Sequence, residues 1–278
     1  MKELFTIWTN TRGIVLISVC AAVYVAVLLP FKFFTIVPGL TEFRPGAALP
    51  IFLSFLFGPA AAWGSAIGNL VGDLLGGMFG PGSFFGFWGN FLMGYIPYRF
   101  WRTWTGRVDP RPQKGREWVL YVAIVLLASA ACGLVIGWGA HVLKLFPFVV
   151  LGNVISINNF LVSIILTTAL VFAASARIGK WNMLYDDILE PKQISGFKYS
   201  KIGSILLAAA IVGGMVLANW ISIANLGADL GQPDGSVDLV QTYQEGVGQY
   251  FGKVASIQSV GWGTAPAIAL LIAALIIL

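Results

Sequence analysis

The chain has 278 residues, 58% of them hydrophobic and only 10% charged, with a mean hydropathy of +0.83. A soluble domain carries about 25% charged residues, so the composition excludes a water-covered globule and points to an all-α, polytopic integral membrane protein. The net charge of +5 is to be judged by its distribution along the chain, and no nucleic-acid partner is expected from it.

A membrane-crossing helix needs roughly 20 mostly apolar residues. The first such run, 13–36, is too long for a signal-peptide core, and Val19 is too large for a lipoprotein box ending at Cys20, so an uncleaved helix is expected. Residues 45–79 are apolar throughout but too long for one crossing. "FGPAAAW", with Gly58 before Pro59, divides them into helices over about 45–58 and 59–78. Further spans are expected at 80–103, 118–143, 146–176, 202–226 and 260–278, eight in all.

Charge tests this count. With the N-terminus in the cytoplasm, the inner segments hold Lys2, Arg12, Arg99, Arg102, Arg107, Arg111, Lys114, Arg116, Arg177, Lys180, Lys192, Lys198 and Lys201, and the outer ones only Lys32, Arg44, Lys144 and Lys253. The asymmetry places both termini inside, in the cell membrane, and requires the split of 45–79. In the inner segment 179–201, Trp181, Leu184, Tyr185 and Ile188 recur at helical spacing and predict a short interfacial helix. The loop 227–257 is the one sizeable polar outer segment.

"GSAIGNLVGDLLGG" (64–77) carries Gly64, Gly68, Gly72 and Gly76 every fourth residue, which aligns them on one helix face as a packing ridge. A second row, Ser65, Asn69 and Asp73, lies about 100° around the helix. Asp73 is the one acidic residue inside a predicted span, and polar groups there face protein or a water-filled cavity. Three readings stay open for it: a helix–helix clamp, a carboxylate surfacing at the helix end, or a ligand contact. The same topology puts Trp88, Asn90, Trp138, His141, Asn153, Asn158 and Asn159 in the outer halves of their helices and Glu42, Phe43 and Arg44 in the first outer loop. Singly, each has a plainer role: the tryptophans and His141 as interface residues, Glu42 and Arg44 as a mutual pair. Together they suggest a cavity open to the outside.

No catalytic or metal-binding pattern competes. G-x-x-x-x-G-K-[ST], H-E-x-x-H and G-x-S-x-G are all missing from the sequence, the two cysteines sit in apolar runs, and there is one histidine. An enzyme and a resident metal are not expected.

"ISVCAAVYVAVLL", with Ala22 and Ala26 in an A-x-x-x-A spacing, then "FRPGAALPIFLSFLFGPAAAWGSAIGNLVGDLLGG", then "GSFFGFWGNFLMGYIPYRFW" occur in this order. Over about residues 13–178 the chain resembles the substrate-binding S components of energy-coupling factor (ECF) transporters. The resemblance implies a six-helix binding core (1–178) and a pocket near the outer face, fitting the residues named above. It implies docking through Ala22 and Ala26 to a transmembrane coupling subunit. ATP would be hydrolysed by two cytoplasmic ATPases, with no cofactor in this chain, and the component would tilt to release a vitamin or related micronutrient inward. Besides these partners and membrane lipids no other is implied. The departure is a linker (179–201) and a two-helix extension (202–278). Two other functions stay open: a self-contained secondary transporter using Asp73 as its coupling-ion site, and a non-transporting assembly subunit.

Overall fold

The computed structural model describes residues 2–31, 35–37, 41–42, 45–143, 145–188 and 200–230. Phe43, Arg44, the expected span 260–278 and most of the loop 227–257 lie outside the described residues.

The described chain is a bundle of helices: α1 (Lys2–Thr6), α2 (Thr11–Phe31), α3 (Ala48–Phe57), α4 (Pro59–Leu75), α5 (Pro81–Thr105), α6 (Gly115–Val142), α7 (Phe148–Lys180), α8 (Tyr185–Ile188) and α9 (Ser200–Leu230). A two-stranded antiparallel pairing, β1 (Thr35–Val37) with β2 (Thr41–Glu42), is the one departure from all-α structure among the described residues. Among them, α2, α6, the stretch Phe148–Ile188 and Lys201–Ile223 of α9 are each long and apolar enough to cross a membrane.

The glycine row faces α2, as its spacing predicts. A Cβ on Gly64 would collide with Cys20, one on Gly68 would lie 2.9 Å from Tyr24 Cδ1, and one on Gly72 2.7 Å from Leu28 Cδ2. The ridge has three glycines, however. α4 ends at Leu75, and Gly76 is its C-cap, donating its N–H to the Gly72 carbonyl. The other crossings repeat the device: Gly94 of α5 backs on Ala62 of α4, Gly89 of α5 on Ile136 of α6, and Gly137 of α6 on Gly152 of α7. In lipid, where burial of apolar surface drives little association, such close backbone approach supplies packing energy.

The break at Gly58–Pro59 is real and has a cause. Gly58 has φ +52, a left-handed conformation suited to glycine, and a Cβ there would meet the Tyr185 ring at 2.9 Å. Pro59 then opens α4 at a position where its missing N–H is harmless. α3 differs from the expected crossing. Its ten residues rise about 15 Å, half of the roughly 30 Å hydrocarbon layer. Its start is held half-way along α7, where Ser163 and Thr167 donate to the carbonyls of Ala47 and Ala48, each at 3.0 Å. Thus α3 fills only that half of the bundle lying toward the basic 106–114 loop.

At this basic end two short elements close the bundle. α1 tucks under it: Glu3 pairs with Arg99 of α5 at 3.1 Å, both side chains 3% exposed, and Trp63 Nε1 donates to the Leu4 carbonyl at 2.8 Å. α8 sits below the α3–α4 break, with Arg102 bound to Asp186 and to the Tyr185 hydroxyl (3.3 Å). Of the residues expected on an interfacial helix, Tyr185 is buried against Gly58 while Trp181, outside α8, is 61% exposed. In the loop, burial raises the Asp109 carboxyl but hydrogen bonds from the Arg111 guanidinium and backbone N–H outweigh it, so its pKa lies below the ordinary value.

Candidate substrate-binding site

At the end opposite the basic loop, α2, α4 and α5 carry a line of hydrogen bonds. The Tyr24 hydroxyl donates to Asn90 Oδ1 at 2.9 Å. Asn90 Nδ2 donates to Asn69 Oδ1 at 3.0 Å and to the Gly86 carbonyl at 2.9 Å. Asn69 Nδ2 in turn donates to Asp73 Oδ2 at 3.2 Å. Tyr24, Asn69 and Asn90 are buried, and Asp73 is half-buried. Every link runs the same way, from phenol through two amides to a carboxylate.

Local structure explains the alignment. Asn69 and Asp73 are four residues apart and share a face of α4. Gly86 lies opposite; a Cβ on it would stand 2.6 Å from Asn69 Nδ2, so the glycine makes room for the amide. The polar row therefore faces α5, while the glycine row beside it faces α2. Asn159 of α7 is also buried and approaches Met93 Sδ at 3.8 Å, one helical turn along α5 from Asn90.

Other predicted site residues go elsewhere. Asn153 points to α9: its Nδ2 donates to Asn219 Oδ1 at 2.5 Å, and Asn219 Nδ2 returns a bond to Asn153 Oδ1 at 3.2 Å. It is six residues from Asn159, about 240° around the helix, so the two cannot share a cavity wall. Trp88 is 40% exposed beside Phe84, Phe87 and Phe91, two residues and half a turn from Asn90. Trp138 lies edge-on to Phe85 at 5.6 Å on the α5–α6 side, and His141 is buried in the last turn of α6. Asn158 is half-buried. Glu42 belongs to β2, paired with Thr35. Ala22 and Ala26 are exposed on the face of α2 turned away from Tyr24.

Tyr24 is not among the site residues that the sequence predicts. Its signal is the stripe Ile17, Cys20, Ala21, Tyr24, Leu28, whose period marks the buried face of α2. A phenol on that face of a membrane helix needs an internal acceptor.

The model of the QueT transporter family matches residues 14–176. The chain belongs to that family. Its members are ECF transporter S components. The match runs from α2 through α7 and holds every residue of the relay; α8 and α9 lie beyond it. Neither a curated protein nor a solved structure matches the chain.

Proposed function

We propose that this QueT family member is the binding subunit of an ATP-driven uptake transporter for a queuosine precursor, a planar, hydrogen-bonding heterocycle. The observation that carries the reading is the end of the relay. Asn69 uses one amide hydrogen on Asp73, so an N–H donor stands beside a carboxylate acceptor. A donor next to an acceptor, in a partly dry site, is complementary to the hydrogen-bonding edge of a heterocyclic base.

The half-length α3 supports the same reading. It leaves the outer half of the bundle to side chains of α2, α4, α5 and α7, where Asn69, Asn90 and Asn159 are found. In this reading the basic end is cytoplasmic, as the positive-inside rule requires. The coupling subunit docks on the exposed Ala22 and Ala26 face, and the two ATPases act through it. α9 packs on α5, α6 and α7, and among the described residues Ala22 and Ala26 stay exposed.

Calorimetric titration of the purified full chain with a queuosine precursor tests the assignment. Saturable one-to-one binding is expected. Asn69→Leu, which leaves Asn90 and Asp73 without their amide partner, is expected to weaken it about tenfold or more, since an unsatisfied buried polar group costs about 1–3 kcal/mol. Uptake driven by an ion gradient without any ATPase would instead favour a secondary transporter.

A further inference from the structure

We infer that the seam between the start of α6 and the end of α7 holds one anionic phospholipid, with its phosphate among Lys114, Arg116, Arg177 and Lys180 and an acyl chain running over the Trp118–Phe172 ring pair. The site lies at the basic end, away from the relay, and does not depend on what the relay binds.

The cations of this end fall into two sets. Arg99, Arg102, Arg107 and Arg111, on α5 and the loop after it, are bound to Glu3, Asp186, Glu117 and Asp109. The remaining described carboxylate at this end, Asp187, accepts the Leu184 N–H. Lys114, Arg116, Arg177 and Lys180 are exposed, and none makes an ion pair or a side-chain hydrogen bond among the described residues. Four positive charges on α6 and α7 therefore lack a counter-ion within the described protein.

The surface beside them is aromatic and open. α6 and α7 are antiparallel neighbours, so the start of one lies beside the end of the other. Trp118 and Phe172 stack across the seam, ring centroids 5.7 Å apart and planes at 9°, with 40% and 46% of their surfaces exposed. The Trp118 indole N–H has no acceptor among the described residues, whereas those of Trp63, Trp101 and Trp104 each have one. Lys114 and Arg116 come before Trp118, and Arg177 and Lys180 come after Phe172. In antiparallel helices both sets lie past the ring pair in the same direction, by about 3–12 Å at 1.5 Å per residue. On the other side of the rings, exposed Val122 of α6 and Ile165 and Leu161 of α7 continue the same helix faces.

Cations, then an aromatic pair with a spare donor, then aliphatic side chains: this is the order of phosphate, glycerol esters and acyl chain in a phospholipid. Basic clusters between membrane helices bind anionic headgroups. Indoles favour the depth of the esters, and long cationic stems reach from apolar surface to the headgroup layer. An acidic protein segment would meet the charges alone and leave the rings and the aliphatic surface without a match.

The test titrates the delipidated full chain, in a neutral detergent, with phosphatidylglycerol, with phosphatidylcholine of the same acyl chains, or with inorganic phosphate. Native mass spectrometry and thermal unfolding follow each. Phosphatidylglycerol is expected to form a saturable one-to-one adduct and to raise the unfolding temperature, and the other two to do neither. One cation at an anionic membrane surface is worth about fivefold in affinity, so Lys114→Gln with Lys180→Gln should weaken the adduct about 25-fold. Arg12→Gln with Lys201→Gln removes two charges from the same end, on α2 and α9, and should change it less than twofold. Equal losses in the two double variants would mean that the basic end attracts lipid without a site, and would overturn the inference. Equal retention of phosphatidylcholine, or an equal effect of phosphate alone, would overturn it as well. If the first double variant does not fold, Arg116→Gln with Arg177→Gln decides by the same comparison.

Discussion

Glu3 and Arg99 face each other at 3.1 Å with both side chains 3% exposed. Removing one charge strands the other away from water, which typically costs about 3–5 kcal/mol. Glu3→Gln is therefore expected to lower the thermal unfolding temperature of the detergent-purified chain sharply. Glu3→Leu combined with Arg99→Met is expected to recover much of the loss, because neither partner then carries a buried charge. The glycines permit a graded test by the same measurement. Gly64→Val pushes a branched side chain into Cys20 and the Ile17 carbonyl, and overpacking of this kind costs about 1–3 kcal/mol. Gly82→Ala has nothing within 4 Å and should leave the transition where it was. The ridge was legible in the sequence because a four-residue spacing fixes a helix face without knowing the neighbour. The ion pair was not. Its partners are 96 residues apart, and Arg99 reads in sequence as one more inner-loop cation.

Helix α9 lies outside the family match yet is bound to it at three depths: Trp104 Nε1 donates to Ser204 Oγ (3.1 Å), Asn153 and Asn219 exchange bonds, and the Val149 N–H donates to Ser222 Oγ (3.2 Å). Each asparagine of the central pair also donates to the carbonyl four residues earlier in its own helix, Val149 or Met215. Interhelical polar contacts in membranes average about 0.6 kcal/mol and reach about 1.7, and this reciprocal pair belongs toward the upper figure. Asn153→Leu and Asn219→Leu should each destabilise the chain by about that amount, while the double variant loses little more than either alone, as the amides act as one unit. A double-mutant cycle on unfolding in detergent measures this. The helices themselves, including the break at Gly58–Pro59, followed from hydropathy and from what glycine and proline do to a backbone. The depth of α3 did not, because Ser163 and Thr167 hold its start from a distant helix. Nor did the direction of Asn153. Sequence fixes a residue's depth in a span, but its azimuth is meaningful only against a neighbour, and here the neighbour is α9.

The whole molecule has two unlike ends. α1, α8 and their ion pairs close the basic one, and the relay lies at the other. α6 and α7 run antiparallel, as the contacts show: Gly137 of α6 meets Gly152 of α7, while Gly133, four residues earlier in α6, meets Ser156, four residues later in α7. The proposed uptake requires the relay end to face outward, and the positive-inside rule requires the same from independent residues. Both native cysteines are buried, so a membrane-impermeant maleimide has little to react with in the wild type. Met78, 48% exposed just past α4, marks the relay end, and exposed Gln113 marks the basic end. Met78→Cys is expected to be labelled in intact cells, and Gln113→Cys only after permeabilisation. The reverse pattern would place the relay on the cytoplasmic side, where it could not collect substrate for uptake, and would overturn the transport direction while leaving the fold untouched.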